Sequence, residues 1–197
     1  YSIWRPLLAW VNDERKIVAK LARNAEGAIH AEDAAQIREV FWRDESLLER
    51  FVAENPAALT PDLLAIAASW RHRRVGTFTV WKHCQRHTMF LDDEDAHAVL
   101  GLNSAFDEIL PMAPPIMVEA TLLPFEGVIV HDGLILPYNV FLGPGIRRSL
   151  LERYRDATAR GAVHKTLGDP TNATEGRRQG RRLRRQPDLH RHRDGRV

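Results

Sequence analysis

The stretch VEATLLPFEGVIVHDGLILPYNVFLGPG, residues 118–145, decides the fold. Three apolar runs, residues 116–123, 127–130 and 134–142, are broken by Pro124 and by His131-Asp132-Gly133. β-Branched and aromatic residues bounded by Gly, Pro and Asp mark strands joined by tight turns. Asp-Gly favours a hairpin because Gly takes positive φ freely and Asp tolerates it better than most side chains. The expectation is a central antiparallel pair, residues 128–130 and 134–136, that turns at Asp132-Gly133.

Upstream, residues 3–70 read as helical. Pro6 suits a first helical turn, and Leu7, Leu8, Val11, Ile17, Val18 and Leu21 recur at helical spacing until residues 24–27 end the segment. A second helix is expected over residues 31–43, with Ala35, Ile37, Val40 and Phe41 inward. Asp44 or Glu45 opens a third, whose apolar stripe is Leu47, Leu48, Phe51 and Val52, and Asn55-Pro56 closes it. Thr60-Pro61-Asp62 supplies a capping oxygen, a proline at the first position and an acid near the positive helix end, so a fourth helix is expected over 61–70.

The period changes after Arg74. Residues 75–81 alternate in the strand manner and 88–91 follow after a polar link, giving a second, looser hairpin. Residues 92–95 form an acidic turn and 97–102 a further strand. Ser104 is placed to cap a short helix over 105–110, and Pro111, Pro114 and Pro115 force an extended link into the central strands. Gly143-Pro144-Gly145 leads into a last helix over 146–160, with Gly161 as its cap. The fold class is therefore α+β: N-terminal helices, then an antiparallel-rich sheet and a closing helix. The expected division is a helical part (1–72), a sheet part (73–165) that packs with it, and a tail (166–197).

The run VLGLNSAFDEIL, the LLPFEGVIVHDG block, and a glycine turn before a helix containing LLERYRDA together resemble an uncharacterised bacterial α+β family with an LLPFxGxIxxDG-type central hairpin. The resemblance covers roughly residues 60–160 and rests on a packing motif. It implies a bacterial protein with a helical N-terminal half and a mixed C-terminal half. It carries no activity, cofactor or site residue.

Composition narrows the class. An apolar fraction of 44% supports an ordinary core, and 27% charged residues is usual for a soluble protein. No apolar run approaches the ~20 residues of a membrane span. The opening YSIWRPLLAW is interrupted by Arg5 and Pro6 and is a poor secretory signal. The single cysteine, Cys84, excludes an internal disulfide and fits a reducing compartment. A cytoplasmic protein without membrane contact is the expectation. The net charge of +2 hides an asymmetry, because residues 171–197 hold nine Arg and three acids. The tail is thus +6 and residues 1–170 are −4. With few apolar residues the tail is expected to be disordered, and a genuine basic tail and GC-rich sequence read out of frame both fit its composition.

Several constellations invite chemistry. His83, Cys84 and His87 offer a Cys-x-x-His half-site, but zinc asks for four donors and no second pair exists, so no metal and no cofactor are expected. His131 beside Asp132 has the composition of a general-base pair, yet Asp-Gly already has a turn to make. Gly143-Pro144-Gly145 lacks a Walker lysine and the full glycine fingerprint. Arg71, Arg73 and Arg74 form a basic patch beside Trp70, which with Arg181, Arg182, Arg184 and Arg185 of the tail offers a nonspecific grip on nucleic acid or another anion. Glu119 and Glu126 read as solvent-face positions. The leading expectation is a non-catalytic interaction or regulatory module with an unnamed protein partner. The alternatives are nucleic-acid binding through the tail and the Arg71–Arg74 patch, and a metal-dependent or hydrolytic enzyme using His83, His87 or His131.

Overall fold

A computed structural model of the chain describes residues 2–21, 29–101, 104–110 and 112–168. The fold is α+β. Four helices come first: α1 (Trp4–Arg15), α2 (Ala31–Arg43), α3 (Glu45–Glu54) and α4 (Pro61–Ser69). A 3₁₀ turn, Trp70–His72, leads into β1 (Arg74–His83), β2 (Thr88–Leu91) and β3 (Ala96–Leu100). The short α5 (Phe106–Ile109) precedes β4 (Ile116–Phe125) and β5 (Val128–Pro137). Last come α6 (Pro144–Ala159) and the two-residue β6 (Val163–His164).

Local chemistry accounts for most of these boundaries. Asp44 caps α3 by accepting from the Ser46 N–H at 3.1 Å, and Asn55 ends it in the left-handed conformation at φ 43°. Pro61 opens α4, but the Thr60 side chain makes no cap bond, and the residue flanking α5 is Ala105 rather than Ser104. Expected to run to Leu21, the first helix stops at Arg15. Asn12 explains this: its amide donates to the Val18 carbonyl at 3.1 Å and accepts from the Val18 N–H at 2.8 Å, while Lys16 turns to φ 52°. A side chain that bonds the backbone six residues on replaces the helical ladder there.

The strands close on themselves. β1 pairs antiparallel with β2, and β2 with β3; β3 pairs parallel with β5, β5 antiparallel with β4, and β4 antiparallel with β1. β4 returns beside β1 after a three-strand meander, which is Greek-key connectivity. β6 adds to the free half of β3. Alternation then sorts the side chains. Phe78, Val80, Phe90, Val99, Ile116, Val118, Leu122 and Ile129 fill the interior with Phe106 of α5. Outward-facing Leu123 and Val130 join the core of α1–α4, built on Leu7, Phe41, Leu47, Phe51 and Trp70. Met89, Leu91, Ala96 and Ala98 face outward under α6, against Leu142, Leu150 and Ala157. Burying each large apolar side chain of this kind contributes about 1.5–3 kcal/mol.

The central hairpin is not where the Asp-Gly signal puts it. Residues 128–130 and 134–136 lie on one strand, β5, and the tight turn is Glu126-Gly127, with φ of 47° and 80°. Both central residues at positive φ suit the right-handed strand twist. At Asp132-Gly133 the ladder slips instead: Leu122 faces His131 and Ala120 faces Ile135, so three residues oppose the single Thr121. Gly133, at φ 95°, lets this bulge form. Pro124, which reads as a break, sits inside β4 beyond the last residue that β1 pairs.

Candidate functional site

The bulge aims Asp132 out of the barrel toward α2. Its carboxylate accepts from Arg38 Nε at 2.5 Å and Trp42 Nε1 at 2.8 Å, and from its own strand at Leu134 N–H, 3.2 Å. Arg38 also donates to Thr121 Oγ1 at 3.0 Å. All four side chains are buried. His131 points the other way, its ring centroid 5.3 Å from that of Phe106. Burial pushes the His131 imidazole below its ordinary value, Asp132 pulls it up, and Arg38 pushes it down again. His131 and Asp132 therefore do not act as a pair, and neither is a solvent-facing turn residue. The carboxylate is a joint between helix and sheet.

A second polar cluster lies at the β2–β3 link. Asp92 Oδ2 meets His97 Nε2 at 2.8 Å, and Asp95 Oδ2 meets His164 Nε2 at 2.8 Å. The two imidazoles stack, centroids 5.3 Å apart and planes 25° from parallel. His97 is 0% exposed, faces inward between the outward Ala96 and Ala98, and meets Phe78 edge-on at 6.0 Å. Its Nδ1 has no partner. Burial pushes His97 below 6.5 against the pull of Asp92, with His164 and Arg74 adding to the fall. Burial raises the Asp92 carboxyl, but the Asp95 N–H, His97 and the Glu94 N–H together hold it below the usual range. Beside this cluster a polar cleft of about 520 Å³ sets Asp93, Glu94, Asp95, Glu152 and Asp156 against Arg153 and Arg160. Both arginines are engaged, Arg153 with the Asp92 carbonyl at 3.1 Å and Arg160 with the Glu94 carbonyl at 2.7 Å.

The residues singled out by sequence are dispersed. Arg71 is exposed and donates to His72 Nε2 at 3.0 Å, whereas the Arg73 guanidinium lies 5.0 Å over the Trp42 ring and 3.4 Å from Glu45. Arg74 starts β1, and Trp70 is in the helical core. The Arg71–Arg74 run is thus split between solvent and packing. His83 Nδ1 meets Thr88 Oγ1 at 2.9 Å, Cys84 packs under α6, and the Cys84 N–H donates to the His87 carbonyl at 2.8 Å. Among the described residues no group of three or more His, Cys, Asp or Glu is arranged to hold a metal. Arg181, Arg182, Arg184 and Arg185 lie outside the described residues. Glu126 is exposed in the turn and Glu119 is half-buried.

Sequence reasoning did not single out the His97–His164 cluster. Asp92 and His97, five apart across a hairpin link, gave a local signal; His164, 67 residues on, gave none.

The chain from Leu136 onward is different in kind. Leu136, Tyr138, Val140, Phe141 and Ile146 are exposed, Phe141 by 86%. Exposed Val75 adds to them from the outer face of β1, and Arg147 and Arg148 follow Ile146 in the first turns of α6. Fold and surface together define an α+β chain, a closed five-stranded Greek-key barrel jacketed by helices, with exposed apolar side chains strung over residues 136–146; among the described residues Ile109 and Met112 are exposed as well. No family model matches the chain, and no curated protein or solved structure shows a significant match to it. Among the described residues no helix is long and apolar enough to cross a membrane.

Proposed function

We propose that the chain is a non-catalytic interaction module whose contact surface is the strip over residues 136–146. The observation that carries this reading is Phe141, a large aromatic side chain 86% exposed amid four other exposed apolar residues. Five exposed large apolar side chains within eleven residues of chain are more than scattered surface hydrophobics, and such concentrations mark docking sites. The occupant is a protein segment that brings apolar side chains for the strip and acids for Arg147 and Arg148, which lie beside it. Of the histidines that an enzyme reading would use, His83 is bonded to Thr88 and His131 Nδ1 accepts from the Gly133 N–H at 3.1 Å.

Nucleic-acid binding is the less favoured reading. Five-stranded Greek-key barrels of the oligonucleotide-binding type offer ligand the outer face of their second and third strands. Here α6 covers that face. Any affinity would then rest on the arginines of residues 171–197 and fall steeply with salt.

Selection from a displayed peptide library tests the proposal. The full chain should enrich peptides that combine aromatic or aliphatic residues with Asp or Glu, and Phe141→Asp should lose them while keeping the wild-type circular dichroism. No enrichment, or enrichment untouched by Phe141→Asp, would overturn the reading. So would sedimentation showing that the strip is already covered by a second copy of the chain.

A further inference from the structure

Along β4 the outer face of the barrel is covered at two places and open between them. Val118, Ala120 and Leu122 fill the interior, so Met117, Glu119 and Thr121 point outward. Met117 packs against the cluster under α6, and Thr121 Oγ1 accepts from Arg38 of α2. Glu119 lies in the gap between the two helical layers. We propose, building on the interaction reading above, that a partner segment docked on the strip brings a lysine or arginine onto Glu119.

Strand register ties the carboxylate to the strip. Glu119 stands directly between Thr77 of β1 and Leu136 of β5. Opposed residues on one face of a sheet hold their Cβ atoms about 5 Å apart. Leu136 is 45% exposed, Thr77 is exposed, and Val75, two residues from Thr77 on the same face, is 55% exposed. A segment seated on Leu136 and Val75 therefore lies across Glu119 and takes water from its carboxylate. Among the described residues that carboxylate has no hydrogen bond and no ion pair. A carboxylate that loses water and gains no partner opposes binding strongly. A cation on the incoming segment offsets the penalty, and an apolar or acidic residue at the same point does not. Glu119 thus selects as much by rejecting segments without a cation as by holding those that have one.

The two ends of the strip then ask for opposite charges. Arg147 and Arg148, in the first turns of α6, suit an acid, whereas Glu119, beside Leu136 on the open sheet face, suits a base. A segment with one of each fits in one direction and is turned away in the other.

Peptide-library selection with the full chain as bait, followed by titration calorimetry on a selected peptide, tests this. Peptides enriched by the wild-type chain should carry Lys or Arg together with apolar residues and an acid. Glu119→Gln, which keeps the size of the side chain, should lose the basic preference and weaken a selected peptide on the order of tenfold. Glu119→Lys should exchange the preference for Lys or Arg at that point for one for Asp or Glu. Circular dichroism checks that both variants fold; if Glu119→Lys does not, Glu119→Gln decides. The proposal is overturned if enriched peptides lack a basic residue, or if Glu119→Gln binds a basic peptide as tightly as the wild type does. Enrichment that Phe141→Asp abolishes and Glu119→Gln leaves unchanged would keep the strip and remove Glu119 from it. No enrichment at all would overturn both.

Discussion

Two buried polar clusters on one barrel are built to opposite specifications. Around Asp132, every oxygen finds a donor: Arg38, Trp42 and the Leu134 N–H on one carboxylate, with Thr121 taking a further Arg38 hydrogen. Around His97, one ring nitrogen is bonded and the other is left over. The first cluster ties α2 to β4 and β5. The second sets His97 against Asp92 and His164 against Asp95 where β6 meets β3. A buried ionisable group therefore acts as a fastener only where its last lone pair or proton is accounted for.

The strongest way to break this comparison is to remove the fastener. Asp132→Ala leaves the Arg38 guanidinium buried and uncompensated, and should cost about 3–5 kcal/mol in chemical denaturation. Adding Arg38→Met should recover part of that loss, because two absent charges are cheaper than one stranded charge. A loss below ~1 kcal/mol, typical of exposed pairs, would mean that the pair is hydrated and no fastener. Next in size is the bulge that aims the carboxylate. A Cβ at Gly133 has no atom within 4 Å, so the cost of Gly133→Val is chiefly backbone strain at φ 95°, about 1–3 kcal/mol by denaturation. If it were silent, the bulge would be pliant.

The effect at His97 is gentler. In an NMR titration His97 should deprotonate below the ordinary histidine value of 6.5, with stability held above that pH and declining as it falls. A His97 that titrates at or above 6.5 would place it among fasteners. Smallest of all is Phe141→Ser, whose side chain packs on little: denaturation should move by less than about 0.5 kcal/mol. A large loss would show that the strip belongs to the fold and has no free surface to offer.

How far the chain was legible follows from the range of each interaction. The 31–43 helix, the 88–91 strand, the Asp44 cap and the Gly161 stop are written in neighbouring residues, and they stand where expected. The turn was misplaced because Asp-Gly and Glu-Gly both precede apolar runs and Asp-Gly is the stronger local signal. What decides between them is Arg38, 94 residues upstream, together with Trp42, 90 residues upstream. No window on the sequence spans that distance. The same holds for His164, which joins His97 only after α6 has crossed β2 and β3. Phe141 was readable as apolar, but only the assembled fold reveals that nothing covers it.

The joint at Asp132 also sets a timetable. Arg38 leaves the ribosome 94 residues before the carboxylate it needs, an interval of about 5–20 s at ordinary elongation rates. Throughout that interval the face of α1–α4 that will meet Leu123 and Val130 has nothing to cover it. The N-terminal helices are thus born as a debtor to the last hairpin of the barrel, and a nascent chain stalled before residue 130 should be the species that chaperones hold.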